Sequence, residues 1–340
     1  MSDKEFFSQE PTFKEHIKNV VEKWWQQISL GEFTGVHNIR INYAFFYQEE
    51  NQRDLVISPG RCESFLKYKE LCYDFSQQGY NIYILDHRGQ GTSQRILSNK
   101  HKGYVQKFDH YAQDLYTFID TVVISNKSSN LSTKPPYLLA HSMGGAIALR
   151  MLELYPNSIQ AALLSSPMLA INSGNIPPWL AKYLTKSAQY INKLIGKEPW
   201  YFLGQKDYQA ILFSNNNLMQ SEIRYQHFIE LYQTQPEIQL GGVTIHWLNE
   251  AIKAKGAIFK SIRNIKTPIR ILQAGNDTIV DNNAQIAFCK RLHQLNNQYC
   301  PDSQPLVINN ARHELLFEQD QYRNEALNYC LEWFDRNDQH

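Results

Sequence analysis

Ser142 stands in the run Ala140-His141-Ser142-Met143-Gly144-Gly145, where a short apolar stretch, Pro136 to His141, gives way to a helical pattern from Gly144 to Tyr155. A serine on a sharp turn between strand and helix is presented clear of its neighbours, and the turn tolerates only small residues two positions to either side. Gly144 and Ala140 both meet that demand, with alanine standing where glycine is more usual. A serine hydroxyl is a weak nucleophile at neutral pH and needs a base to take its proton. Of the eleven histidines, His313 is placed for that task, in the loop Asn310-Ala311-Arg312-His313-Glu314 after the stretch Pro305 to Asn309. The base needs a carboxylate to orient it. Ala274-Gly275-Asn276-Asp277-Thr278-Ile279-Val280-Asp281, after Ile269 to Gln273, offers two, and Asp277 is the choice because it comes just after the glycine turn. Asp281 reads instead as the start of the next helix. The chain order serine, acid, histidine is one of the known orders for such a triad, and its chemistry is acyl transfer.

Acyl transfer builds negative charge on an oxygen, which must meet fixed donors. The backbone N–H of Met143, directly after the serine, is one; the N–H of Arg61, in Ser58-Pro59-Gly60-Arg61, is the expected second, with Gly60 letting the backbone approach. Only the Arg61 amide is given a role, the side chain reading as a solvated charge. His141 adjoins the serine but should point away and pack. His87, in another strand-end loop, is expected to form a wall of the pocket.

These residues need a scaffold, and the chain supplies strands that alternate with helices. Ile39 to Tyr47, Leu55 to Ser58, Asn81 to Leu85, Pro136 to His141, Ile159 to Ser165, Ile269 to Gln273 and Pro305 to Asn309 read as strands. Phe65 to Phe75, stopped by Gly79, and a helix bearing Tyr111, Leu115, Phe118, Ile119 and Val122, capped by Asp109, lie between them, and Ser125 to Lys134 is a polar connector. Alternation of this kind predicts a mostly parallel sheet covered by helices on both faces, the α/β-hydrolase fold. From residue 168 to 262 the alternation stops. That segment is helical in composition and aromatic-rich, with Trp179, Tyr183, Trp200, Tyr201, Phe202, Phe213, Tyr225, Phe228, Tyr232 and Trp247. We expect a helical cap at 168–262, inserted into a core made of 1–167 and 263–340, over the carboxyl ends of the strands where ligands bind.

Residues 13 to 28 set Phe13, Ile17, Val20, Val21, Trp24 and Ile28 at helical spacing, with Trp25 beside them. A packed helix and a membrane-surface anchor both fit that stripe. Residues 1 to 30 carry four lysines against five acids, whereas an anchor on anionic lipid should be basic, so the packed helix is preferred.

Thirty-four basic against thirty-three acidic residues leave a formal charge of +1, with no field to draw nucleic acid. Five scattered cysteines without a C-x-x-C pair indicate neither a disulfide framework nor a zinc site. Gly89-Gln90-Gly91 has Gln94 where a dinucleotide fingerprint needs a third glycine, there is no Walker lysine loop, and His313-Glu314 lacks the second histidine of a zincin helix. No metal or cofactor is expected. Polar opening residues and the lack of a run of about 18 apolar residues lead to the expectation of a cytoplasmic protein without signal peptide or spanning helix.

Glu32-Phe33-Thr34-Gly35-Val36, Pro59-Gly60-Arg61 with Glu63-Ser64, Asp86-His87-Arg88-Gly89-Gln90-Gly91, Ala140 to Ala148 and His313-Glu314 with Leu316-Phe317-Glu318 resemble the bacterial lysophospholipase L2 family and, more distantly, the monoacylglycerol lipases. Gly241-Gly242 with His246-Trp247 is similar as well. The resemblance implies hydrolysis of the acyl ester of a lysophospholipid by an enzyme peripheral to the inner membrane. The residues alone support an ester hydrolase with an apolar lid. A monoacylglycerol lipase or broad carboxylesterase on the same triad, and a catalytically silent binding protein of this fold, are the competing readings.

Overall fold

The structure, a computed structural model, describes residues 7–126, 134–172 and 178–338, apart from the side chains of 178–182 and 184. Most of the connector 125–134 and the Trp179 side chain therefore lie outside the described residues. In chain order the elements are α1 (Phe13–His16), a π-turn (Ile17–Val21), α2 (Glu22–Trp25), β1 (Ser29–Thr34), β2 (Arg40–Phe46), β3 (Arg53–Ser58), α3 (Lys69–Ser76), β4 (Tyr80–Leu85), α4 (Asp109–Phe118), β5 (Tyr137–His141), α5 (Met143–Leu154) and β6 (Ala162–Ser165). Then come α6 (Pro178–Ile195), α7 (Glu222–Thr234), α8 (Ile245–Ser261), β7 (Ile269–Ala274), α9 (Asn282–Leu295), β8 (Leu306–Ile308) and α10 (Asp320–Asp338).

The eight strands form one sheet in the order β1-β2-β4-β3-β5-β6-β7-β8. A hairpin, β1 with β2, pairs antiparallel onto β4, and every pairing from β4 through β8 is parallel. Parallel strands need helical crossovers, and helices on both faces leave no solvated side, so the strands are apolar in unbroken runs. Alternate residues then serve opposite layers. Leu55, Ile57 and Leu139 pack with Leu71 and Phe75 of α3 and Trp333 and Phe334 of α10. Val56, Leu138 and Ala140 face the other way, to Leu115 of α4, Ile147 of α5 and Ala251 of α8.

Some boundaries differ from the sequence reading. Asp109 does not cap its helix; it is the first residue of α4 and grips Arg150 of α5 through both carboxylate oxygens at 2.9 Å. Ile119 and Val122 belong to a π-turn, Ile119–Val123, that extends α4. β6 is confined to Ala162–Ser165, although Ile159 and Ala161 are buried before it.

The segment between β6 and β7 holds α6, α7 and α8, joined by irregular backbone. α8 is embedded: the Trp247 indole N–H donates to Tyr111 Oη at 3.2 Å, and Ala251, Ala254 and Ile258 join the core beside α5. α7 is bolted down by Arg224, fully buried and paired with Glu70 and Asp320 at 2.9 Å each.

The N-terminal helical stretch packs on the body of the protein. Phe13, Ile17, Val21 and Trp24 are buried, and the Trp24 ring lies 5.1 Å from Phe46 and 5.7 Å from Tyr73. Trp24→Ala should therefore destabilise the fold by about 3–5 kcal/mol, read as a lower urea midpoint; an unchanged midpoint with lost vesicle binding would favour the anchor instead.

Candidate active site

Ser142 joins β5 to α5 with φ 50° and ψ −115°, a conformation that a side-chain-bearing residue adopts only under constraint. The constraint is visible at Gly144. A Cβ there would lie 2.1 Å from the Ser58 carbonyl oxygen and 2.5 Å from that of Pro59. Glycine at 144 thus lets the end of β3 come hard against the elbow, which brings the Pro59-Gly60-Arg61 turn to the serine. The Ser142 amide is held by Ser165 O at 3.0 Å, and its carbonyl accepts from Met168 N at 2.8 Å.

The three residues expected as a triad come together although they lie far apart in the chain. Ser142 Oγ is 2.9 Å from His313 Nε2, and His313 Nδ1 is 2.7 Å from Asp277 Oδ2. The other Asp277 oxygen accepts from the amides of Ile279 at 2.8 Å and Val280 at 3.1 Å. Burial pushes the Asp277 carboxyl up, but the hydrogen bond and charge of His313, with the two amides, outweigh it and hold the group below its ordinary range. Adjacent parallel strands carry the loops: Gly275 N donates to Ile308 O, and Asn276 N to Ala311 O, each at 2.9 Å. Asp281 is the N-cap of α9, accepting from Asn283 N at 2.9 Å. Such a line can move the hydroxyl proton to the imidazole while the carboxylate keeps the ring in one tautomer.

Among the described residues, the N–H groups of Met143 and Arg61 make no hydrogen bond. Met143 opens α5, where the helix dipole adds to the field felt by an anion. The Arg61 side chain is not simply solvated, as its charge suggested: Nη1 donates to Gly241 O at 2.9 Å and the guanidinium lies 5.9 Å from the Trp247 ring.

The loop 86–94 holds this turn in place. Asp86 accepts from Phe65 N at 2.6 Å, Thr92 N at 2.6 Å and Ser64 Oγ at 3.0 Å, and Arg88 makes a buried two-point pair with Asp114 at 2.6 and 2.7 Å. Gln90 Nε2 donates to the carbonyls of Gly60 at 2.8 Å and Glu63 at 3.1 Å. His87 corrects the expectation of a pocket wall. It is fully buried, 3.0 Å from Ser58 Oγ, behind the turn and not among the cavity-lining residues. His141 points from the serine toward Ser165 O at 3.3 Å, with its ring 5.0 Å from that of His313.

Ser142 and His313 open into a cavity of about 2030 Å³, larger than the few hundred to about 1,000 Å³ usual for small ligands. Its walls are mainly apolar, with Trp200, Phe202, Tyr225, Phe228, Tyr232 and Trp247 contributed by the segment between β6 and β7. Sequence reading missed Lys67, which lines this cavity between Glu63 and Glu314. The i, i+4 spacing of Glu63 and Lys67 was the available signal.

The chain is 34% identical to lysophospholipase L2 of Escherichia coli across 98% of its own length and 95% of that protein. It belongs to the lysophospholipase L2 family. The probable lysophospholipase L2 of Haemophilus influenzae is 33% identical over 94% of this chain and 96% of that one. The family model described as "Serine aminopeptidase, S33" matches residues 49–320, a span that includes all three residues of the hydrogen-bonded line. Two solved structures share the fold: a monoglyceride lipase from Saccharomyces cerevisiae in complex with a substrate analog, at TM-score 0.65 and 20% identity, covering 91% of this chain and 94% of that one, and a thermostable carboxyl esterase from Bacillus coagulans, at TM-score 0.68 and 15% identity, covering 91% and 98%. Among the described residues of this family member, no helix is long and apolar enough to cross a membrane.

The two buried histidines of the site oppose acid. Burial pushes His141 down to about 4 and His87 down to about 3, whereas unfolded histidines titrate near 6.5. The unfolded chain therefore takes up these protons first, so the stability from both rings is complete above about pH 6.5 and is lost as pH falls toward 4 and 3. His141 alone accounts for about 3 kcal/mol of that loss. Between pH 7 and pH 4 the urea midpoint of His87→Gln should fall less, or rise more, than that of the wild type, because the variant lacks the contribution of one of these rings.

Proposed function

We propose that this protein is a serine hydrolase that cleaves the acyl ester of lysophospholipids, releasing a fatty acid and a glycerophospho-headgroup. The observation that carries the reading is the unbroken hydrogen-bonded line Asp277–His313–Ser142 opening into a large apolar cavity. Ser142 attacks the ester carbonyl as His313 takes its proton, and Asp277 holds the imidazole with Nδ1 protonated. The oxygen of the tetrahedral intermediate is received by the amides of Met143 and Arg61. As the carbon–oxygen bond breaks, His313 returns the proton to the departing glycerol oxygen, leaving Ser142 acylated. Water, deprotonated by the same imidazole, attacks the acyl-enzyme and frees the fatty acid.

In this reading 168–262 is the cap, core 1–167 and 263–340 carries the reacting groups, and the aromatic walls take the acyl chain. The cap holds nine Lys and Arg against six Asp and Glu, and Leu194, Ile195, Leu203 and Leu212 are exposed on it. Apolar side chains among basic ones suit peripheral contact with an anionic lipid surface, at the cytoplasmic face of the inner membrane. Neither a metal nor a cofactor enters the mechanism.

A second reading, hydrolysis of monoacylglycerol, is favoured by Lys67, one of four cationic side chains lining the cavity, because its charge is already answered by two carboxylates and so is not free for a phosphate. Turnover of lysophosphatidylethanolamine, monoacylglycerol and nitrophenyl esters by the purified protein should rank the lysophospholipid first; a clear preference for monoacylglycerol would transfer the assignment. Ser142→Ala should abolish ester cleavage and labelling by a fluorophosphonate without loss of fold, and retained turnover would exclude Ser142 as nucleophile. Asp277→Asn should lower kcat by about 10⁴-fold, measured on a soluble ester.

A further inference from the structure

Glu63, Lys67 and Glu314 form a buried line of charge that the reaction as written does not use. Lys67 Nζ donates to Glu63 Oε1 and to Glu314 Oε2, each at 2.7 Å. The side chains retain only 4, 5 and 7% exposure for Lys67, Glu63 and Glu314. The ring centroids of Phe228 and Phe317 stand 4.8 and 4.6 Å from Nζ. Buried ions gain little stability over an apolar packing of the same volume, because desolvation consumes most of the Coulomb attraction. What these ions hold is therefore the informative question.

Each end of the line grips a loop that carries a reacting group. The second Glu63 oxygen accepts from the Gly60 amide and from Tyr68 Oη. Gly60 is thus fixed at its N–H by Glu63 and at its carbonyl by Gln90, at 2.8 Å. The next amide, that of Arg61, is left without a protein acceptor in a residue that lines the cavity. At the far end, Glu314 follows His313 directly, and its own amide donates to Leu218 O at 2.9 Å. β3 and β8 do not pair, since three strands, β5, β6 and β7, lie between them in the sheet, so no ladder hydrogen bond sets this relation directly.

We propose that Lys67 is a positioning residue: its two ion pairs hold the Arg61 amide and the His313 imidazole in one fixed relation to Ser142. The proposal rests on the serine-hydrolase reading above. A donor to the developing oxyanion acts in the transition state and not on bound substrate, so its displacement appears in kcat and not in KM. The loss of one such donor lowers rate by about 10²- to 10³-fold.

The test compares wild type with Lys67→Met, Lys67→Arg, Glu314→Gln and Tyr68→Phe, using kcat and KM on a soluble nitrophenyl ester and the rate of fluorophosphonate labelling. Folding of each variant is followed by circular dichroism. Lys67→Met should lower kcat and the labelling rate by about 10²-fold and leave KM little changed. Lys67→Arg, whose planar fork can reach both carboxylates, should restore most of the loss. Glu314→Gln and Tyr68→Phe each remove one contact while Lys67 and Glu63 stay paired; both should fold and show a smaller fall in kcat alone. If Lys67→Met does not fold, these two variants decide. Wild-type kcat in the folded variants, or a change in KM only, would overturn the proposal and leave the hydrolase reading intact. A wild-type protein that neither turns over esters nor labels would overturn both.

Discussion

The close approach of two backbones governs this molecule. Gly144 presses against the Ser58 and Pro59 carbonyls, and no residue with a Cβ fits between them. Because of that contact the first turn of α5 and the end of β3 share one small volume. The strained serine, the α5 amides and the turn after β3 therefore converge without any long side chain to bring them together. The strain at Ser142 is maintained by the sheet on either side: its amide is tied to β6 and the strand before it lies between β3 and β6. A local conformation of this kind persists only where its surroundings leave no alternative.

Around that contact the protein uses buried polar groups to position loops. Asp86 gathers donors from two segments, Arg88 and Asp114 form a closed pair, and Gln90 reaches across to the turn after β3. Each group has its partners, so burial costs less than it would for an isolated charge. Loops at the strand ends cannot be held by a hydrophobic core, which is non-directional; hydrogen bonds to carboxylates and amides supply the direction.

The segment between β6 and β7 divides by the same logic. α7 and α8 are joined to the body by Arg224, Trp247 and the apolar residues Ala251, Ala254 and Ile258. The irregular backbone from Trp200 to Ile211 lines the cavity with Leu203 exposed, and is held by backbone bonds such as Phe202 N to Val243 O at 2.9 Å.

Much of this was legible in order and spacing alone. Alternating strand and helix patterns specify a parallel sheet because parallel strands must be linked by crossovers, and a small residue on each side of Ser142 specifies the elbow because a sharp turn excludes bulk. His313 and Asp277 followed from their places after late strands, since loops at the same sheet edge meet. Other features are decided only by the folded chain. His87 lies behind the turn and not in the pocket wall, Arg61 extends to Gly241 and Trp247, and Asp109 grips Arg150 in place of capping its own helix. Lys67 lies between two glutamates, Glu63 and Glu314, whose separation along the chain conceals their contact. Local sequence determines backbone shape through sterics and periodicity, but a buried side chain chooses its partner from everything that packing brings within about 3 Å, and that choice exists only in the tertiary structure.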